Sequence, residues 1–161
     1  MEFKVGENAV HPHHGVGEVT AVEAKEIAGH KKTFYILRIV DSGMKVMVPT
    51  DAADRVGLRG VISKKEADKV IGVLREATVV AASQPWNRRH REYVEMLKSG
   101  SLFEVAKVLR DLTRLKTDKE LSFGERRLLD QARSLLVTEL ALARKVKEDR
   151  VEAEIQTILA S

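Results

Sequence analysis

The chain has 161 residues, enough for one medium domain or two small ones, and it is 43% hydrophobic but only 4% aromatic, so its core must be built mainly from Leu, Val, Ile and Ala. The absence of cysteine excludes a disulfide scaffold, a thiolate metal site and a thiol nucleophile. The net charge of +4 is unevenly spread: residues 1–62 hold 8 basic and 8 acidic residues, the remainder 20 and 16, so a polyanion should meet the second part. The first residues lack an apolar signal core, and no run reaches the ~18 apolar residues of a membrane helix; a cytoplasmic protein without a membrane partner is expected.

Residues 1–60 read as β structure. Six of the ten glycines lie before residue 58 and two of the three prolines before residue 50, punctuating short strand-like runs. Strands are expected at 7–11, 17–27, 33–40 and 44–49, with a last short one at 55–59. Residues 28–30 and 41–43 read as turns. The run 33–40 is the strongest, since Phe34, Tyr35, Ile36, Leu37, Ile39 and Val40 all favour strands. Four or five short strands in so little chain close naturally as a small SH3- or Tudor-like barrel.

The pattern then becomes helical. Ser63/Glu66, Ser101/Glu104 and Ser122/Glu125 each have the spacing of a capping box, in which Ser and Glu satisfy free amides of a first helical turn. Helices are expected at 63–76, with Val70, Ile71 and Leu74 inward, and at 85–98, opened by Pro85. A third carries Leu102, Val105, Ala106, Leu109 and Leu112. A fourth carries Leu128, Leu129, Ala132, Leu135, Leu136 and Leu140, and a fifth spans 147–160. None can bury its apolar stripe alone, so they must pack as one bundle. The expected class is α+β with two domains: an antiparallel barrel at 1–60, then an all-α unit of about five helices at 61–161.

The most chemically loaded stretch runs from Gln84 to Arg91 and holds the single Trp. With a helix beginning at Pro85, Trp86 lies in the first turn and Arg88, Arg89 and Arg91 fan out from it. Free amides, a positive helix end and guanidinium forks suit phosphate oxygens, and an aromatic ring can stack on a base or wedge into a base step. The plain alternative puts Trp86 in the core with His90, Tyr93 and Leu97, and the arginines on a solvated face.

Elsewhere the signals are weaker. His11, His13 and His14 lack metal-ligand spacing, and Pro12 and Gly15 favour a turn. On the hairpin 33–49, Tyr35, Leu37 and Ile39 share one face, and Phe34, Ile36 and Val40 the other. A small barrel should not bury both fully. Pro49 belongs at a strand end or an edge, and an apolar edge invites another protein's strand, unless neighbouring loops cover it. No nucleophile elbow, phosphate loop or zinc-protease motif occurs. Asp111, Asp118, Glu120, Glu125 and Asp130 read as scattered over surface helices and loops. Neither an enzyme nor a small-molecule substrate is expected, and no cofactor or metal. Two competing readings are a peptide-binding adaptor whose helices merely dimerise, and a metal-dependent enzyme centred on the three histidines.

Several short matches in order mark a resemblance. Phe3-Lys4-Val5-Gly6, the turn from His11 to Gly17, Val56-Gly57-Leu58-Arg59, Trp86-Asn87-Arg88-Arg89, Val108-Leu109-Arg110-Asp111-Leu112 and the run from Leu121 to Arg126 together make the chain resemble the CarD/CdnL family of bacterial transcription regulators. The match runs nearly end to end and looks closest to the myxobacterial CdnL type. The resemblance implies a Tudor-like module that binds the β subunit of RNA polymerase through strand pairing. It also implies a helical domain on promoter DNA at the upstream edge of the −10 element, where a Trp wedges into the minor groove and favours the open complex. The wedge falls on Trp86, its basic contacts on Arg88, Arg89, Arg91 and Arg126, and an apolar patch on Val94 and Phe123. The polymerase-facing positions fall on Lys25, Leu37, Met47 and Pro49. Met47 replaces an Arg of some relatives, Lys25 lacks the bidentate fork of the Arg found in others, and Val94 stands where close relatives have Met.

Overall fold

The computed structural model describes residues 2–76, 86–118 and 120–160, and of residues 86, 87 and 116–118 the backbone alone. The chain forms two compact units, Met1–Val61 and Ile62–Ser161. Expectations for Pro85, for 77–83 and for the indole of Trp86 lie outside the described residues.

The first unit contains β1 (Asn8–His11), β2 (Gly15–Ile27), β3 (His30–Ile39), β4 (Lys45–Pro49) and β5 (Arg59–Gly60). They form an antiparallel sheet in the order β4-β3-β2-β1-β5, the small Tudor/SH3-like barrel expected of so many short strands. A register shift between Val19 and Ala21 divides β2. Before it, Val16, Gly17 and Val19 are buried; beyond it, the β2–β3 ribbon runs out into solvent as far as the Ala28-Gly29 turn. Both turn residues have positive φ (51° and 80°), the backbone that matches the twist of a two-residue hairpin. Phe3, Ala9, Val19, Tyr35, Leu37, Val48, Ala53 and Leu58 make the core. The Phe3 amide donates to Tyr35 Oη at 3.2 Å, and the two rings meet edge to face, which ties the N-terminal segment to β3.

One expectation for this unit is corrected. No strand runs through 55–59: α1 (Ala53–Val56) comes first, Gly57 caps it at φ 95°, and only Arg59–Gly60 pairs, with β1. Gly57 permits the left-handed turn that separates the two. As expected, β3 does not bury both faces fully: Tyr35, Leu37 and Ile39 are all buried, whereas the opposite face buries Phe34 and Ile36 but leaves Arg38 and Val40 exposed.

Among the described residues the second unit holds five helices: α2 (Lys64–Arg75), α3 (Trp86–Lys98), α4 (Leu102–Asp118), α5 (Phe123–Arg144) and α6 (Glu148–Ala160). Ser63/Glu66 and Ser122/Glu125 form both reciprocal bonds of a capping box. Ser101/Glu104 differs. Ser101 donates its amide to Ser99 Oγ at 3.2 Å, and Glu104 is drawn to Lys107 Nζ at 3.0 Å. The core takes Val70, Ile71 and Leu74 from α2, Val105, Leu109 and Leu112 from α4, Leu136 and Leu140 from α5, and Val151 and Ile155 from α6.

Buried polar groups join these helices. Arg110 donates to the Val73 carbonyl at 3.0 Å, and Arg114 to the carbonyls of Leu74 and Glu76, so α4 satisfies the open C-terminal end of α2. Glu139, 1% exposed, accepts the Ile62 amide at 3.0 Å. Arg144 on α5 reaches both Asp68 of α2 and Glu154 of α6. No helix among the described residues is long and apolar enough to cross a membrane.

Candidate nucleic-acid interface and strand edge

The helical candidate site is built where α3 and α5 begin. The buried stripe of α3 is Arg89, Tyr93 and Leu97, four residues apart, with His90 half-buried beside it. Trp86 stands one turn ahead of Arg89 on that helix. Arg88 and Arg91 lie on the solvent side; Arg88 reaches Glu92 at 3.6 Å, an exposed pair of little energetic weight. Val94 is half-buried against the helical core.

Arg89 does not fan out with its neighbours, and here the expectation is corrected. It is 9% exposed, and its Nη2 lies 3.5 Å from Oε2 of Glu125, itself 2% exposed. Glu125 is likewise no surface acid. Its Oε1 accepts the Ser122 amide at 3.0 Å while its own amide donates to Ser122 Oγ at 3.2 Å. One carboxylate therefore caps α5 and holds α3. The physical reason is placement: a charge on a buried stripe persists only beside an opposite charge, because leaving one alone costs several kcal/mol. Spacing had not shown this, since Arg89 and Glu125 belong to different helices. The signal lay in Glu125 itself, an acid at the third position of a capping box. Burial, then Asp111, raises the Tyr93 phenol above its ordinary range.

The ion pair brings the first turn of α3 beside the first turn of α5. There Phe123 is 78% exposed, a large value for an aromatic ring, with the Arg127 guanidinium carbon 5.9 Å from its centroid. Arg126 is exposed and borders an open groove with Glu120, Leu121, Leu129, Asp130 and Arg133. The assembled surface holds two helix N-termini, exposed Arg88, Arg91, Arg126 and Arg127, and a bare aromatic ring. Guanidinium groups and helix-end amides suit phosphate, and the ring suits a base or a base step.

In the barrel, among the described residues β4 pairs only with β3, so its other side is a strand edge. Met47 on it is 43% exposed, and Lys25 Nζ lies 3.9 Å from its sulfur. Pro49 is half-buried at the strand end, opposite Phe34. Leu37 does not belong to this surface. It is 0% exposed, in the core beside Val48, because the β3 face that carries it points inward. Its position as a polymerase contact is corrected to a core position.

The three histidines sit on the tight β1–β2 turn. His11 Nδ1 accepts the His13 amide at 3.1 Å, which leaves its proton on Nε2. The His11 ring lies 4.8 Å from that of His14 and 5.8 Å from that of His13, centroid to centroid. Burial, then His14 and His13, lowers its pKa to about 4. Among the described residues no group of three or more His, Cys, Asp or Glu could hold a metal ion.

The chain is thus a small barrel with an open strand edge, followed by a helical unit with a basic, aromatic end. Residues 3–62 match the family described as CarD-like/TRCF RID domain, and residues 69–156 that described as CarD, C-terminal domain. The chain belongs to the CarD/CdnL family of transcription-factor-like proteins. It is 30% identical over 151 residues to YdeB of Bacillus subtilis (strain 168), whose name marks it as a candidate transcription factor; the match covers 94% of this chain and 98% of that one. Among solved structures it is similar to the N-terminal CdnL domain of Myxococcus xanthus (48% identity, 39% of this chain, 89% of that one, TM-score 0.34). It is also similar to the 72-residue N-terminal domain of Myxococcus xanthus CarD (39% identity, 37% and 79%, TM-score 0.33).

Proposed function

We propose that this protein is a transcription regulator that binds the β subunit of RNA polymerase through its barrel and promoter DNA through its helical unit, stabilising the open complex. The barrel adds its β4 edge to a strand of the polymerase, with Lys25, Met47 and Pro49 at the contact. The helical unit meets DNA at the upstream edge of the −10 bubble, with Trp86 as a minor-groove wedge and Phe123 and Val94 as its apolar flank. Arg88, Arg91 and Arg126 take phosphates. The observation that carries this reading is the pairing of two helix N-termini, four exposed arginines and an exposed Phe123 at one end of a bundle.

Physical chemistry supplies the mechanism. About three phosphate contacts give a slope of roughly −3 in log K against log salt, so DNA binding alone is weak at physiological salt. A grip on polymerase converts it into an intramolecular event at raised effective concentration. The wedge acts by differential binding: a ring that fits a partly unstacked fork better than closed duplex shifts the equilibrium toward open DNA. The test is open-complex lifetime on a single promoter with wild type and Trp86→Ala. Loss of one stacked ring, about 1–3 kcal/mol, should shorten the lifetime by roughly fivefold to a hundredfold while polymerase binding is retained. Equal lifetimes would remove the wedge from the account.

A further inference from the structure

Resting on that reading of the helical unit, we infer that Arg89 and Glu125 form a buried strut that positions the Trp86 end of α3, and that Arg89 is not one of the phosphate contacts. Of three arginines in four positions, Arg88 and Arg91 are exposed and Arg89 is 9% exposed. The guanidinium is 3.5 Å from a carboxylate that is 2% exposed and is already fixed on the α5 side by the Ser122 amide. Trp86 and Arg89 are one helical turn apart on α3, and Phe123 and Glu125 share the first turn of α5. The strut therefore ties the turn that carries the indole to the turn that carries the exposed ring.

A wider network supports it from behind. Tyr93, one turn beyond Arg89, is buried and feels Asp111, Arg89 and Glu125. Asp111 accepts from Arg110 Nε at 2.9 Å, and Arg110 holds the end of α2 through the Val73 carbonyl. The end of α2 and the start of α3 are thereby both held by guanidinium groups: Arg110 and Arg114 on one side, Arg89 on the other. Salt separates the two kinds of arginine. Phosphate contacts release counterions and fade with ionic strength, whereas a buried pair is little screened.

The experiment measures binding of the full chain to a fluorescein-labelled DNA duplex with an unpaired bubble, over a range of salt. Arg91→Ala should lower the magnitude of the salt slope by about 0.9, the share of one phosphate. Arg89→Met and Glu125→Gln should each weaken binding about tenfold at every salt concentration with the slope unchanged. The double variant should be no weaker than either single one, because both break the same strut. Glu125→Gln is the sharpest arm, since it removes a negative charge and leaves Arg89 charged: tighter binding with a steeper slope would mean that the released Arg89 reaches phosphate, and would overturn the inference. A slope lowered by about 0.9 in Arg89→Met would overturn it too. Arg89→Lys, read with a circular-dichroism melt, serves where the Met variant does not fold.

A second measurement needs no DNA. Acrylamide quenching of the single Trp in the free protein should shift to the same extent in Arg89→Met, Glu125→Gln and the double variant; quenching unchanged from wild type would overturn the strut. If wild type itself does not bind the bubble duplex, the proposed DNA role falls, while quenching still decides the strut by itself.

Discussion

Leu37 and Met47 show how adjacent strands give neighbouring apolar side chains opposite fates. Leu37 is 0% exposed and Met47 43% exposed. Leu37→Ala should destabilise the barrel by about 2–5 kcal/mol, the range for a buried leucine, and lose polymerase binding only as far as it unfolds. A denaturant titration checks this. His11 carries a residue-scale pH effect. Its pKa of about 4 in the folded chain lies below the ordinary 6.5, so the unfolded chain binds the extra proton first. Its contribution is nil above pH 6.5, becomes destabilising as pH falls through 6.5, and levels off below about 4. The penalty is on the order of 3 kcal/mol at most. His11→Asn, whose amide oxygen can still accept the His13 amide, should flatten the stability difference across that window, as measured by thermal melts at pH 7 and pH 5.

At the scale of the element, three identical capping signatures lead to two outcomes. Ser63 Oγ accepts the Glu66 amide at 3.1 Å, and Ser122 Oγ the Glu125 amide at 3.2 Å. Ser101 lies where Ser99 Oγ has already taken its amide and Lys107 has taken Glu104. Ser63→Ala should therefore cost about 1 kcal/mol, and Ser101→Ala should fall within about 0.5 kcal/mol of wild type, both read from chemical denaturation midpoints. Equal losses would show that the motif alone, rather than the competition around it, sets the cap. Helix spans were readable to within one or two residues because apolar periodicity and cap chemistry are local. The 55–59 stretch was not, since Leu58 and Arg59 fit a strand as well as they fit a turn after α1, and only the pairing of Arg59 with Val10 selects between them.

For the whole molecule, the division into Met1–Val61 and Ile62–Ser161 implies separable tasks. Residues 1–61 and 62–161, produced as two chains, should each fold cooperatively, and each should keep its own partner: polymerase β for the first, bubble DNA for the second. Mixed in trans they should fail to extend open-complex lifetime at concentrations where the intact chain succeeds, because effective concentration comes from the covalent connection. Full activity in trans would show that coupling by the chain is unnecessary.

Composition, period and cap spacing determined the fold class, the order of the elements, the neutral first unit and the basic second, since each of these is written in neighbouring residues. Tertiary structure alone decided which charges are available for binding. Arg88, Arg89 and Arg91 look alike along the chain, yet Glu125, 36 positions beyond Arg89, withdraws one of them from solvent. Leu37 and Met47 look equally fit for a partner, yet the inward face of β3 claims the first. Burial depends on which side of an element meets a distant one, and no local pattern carries that information.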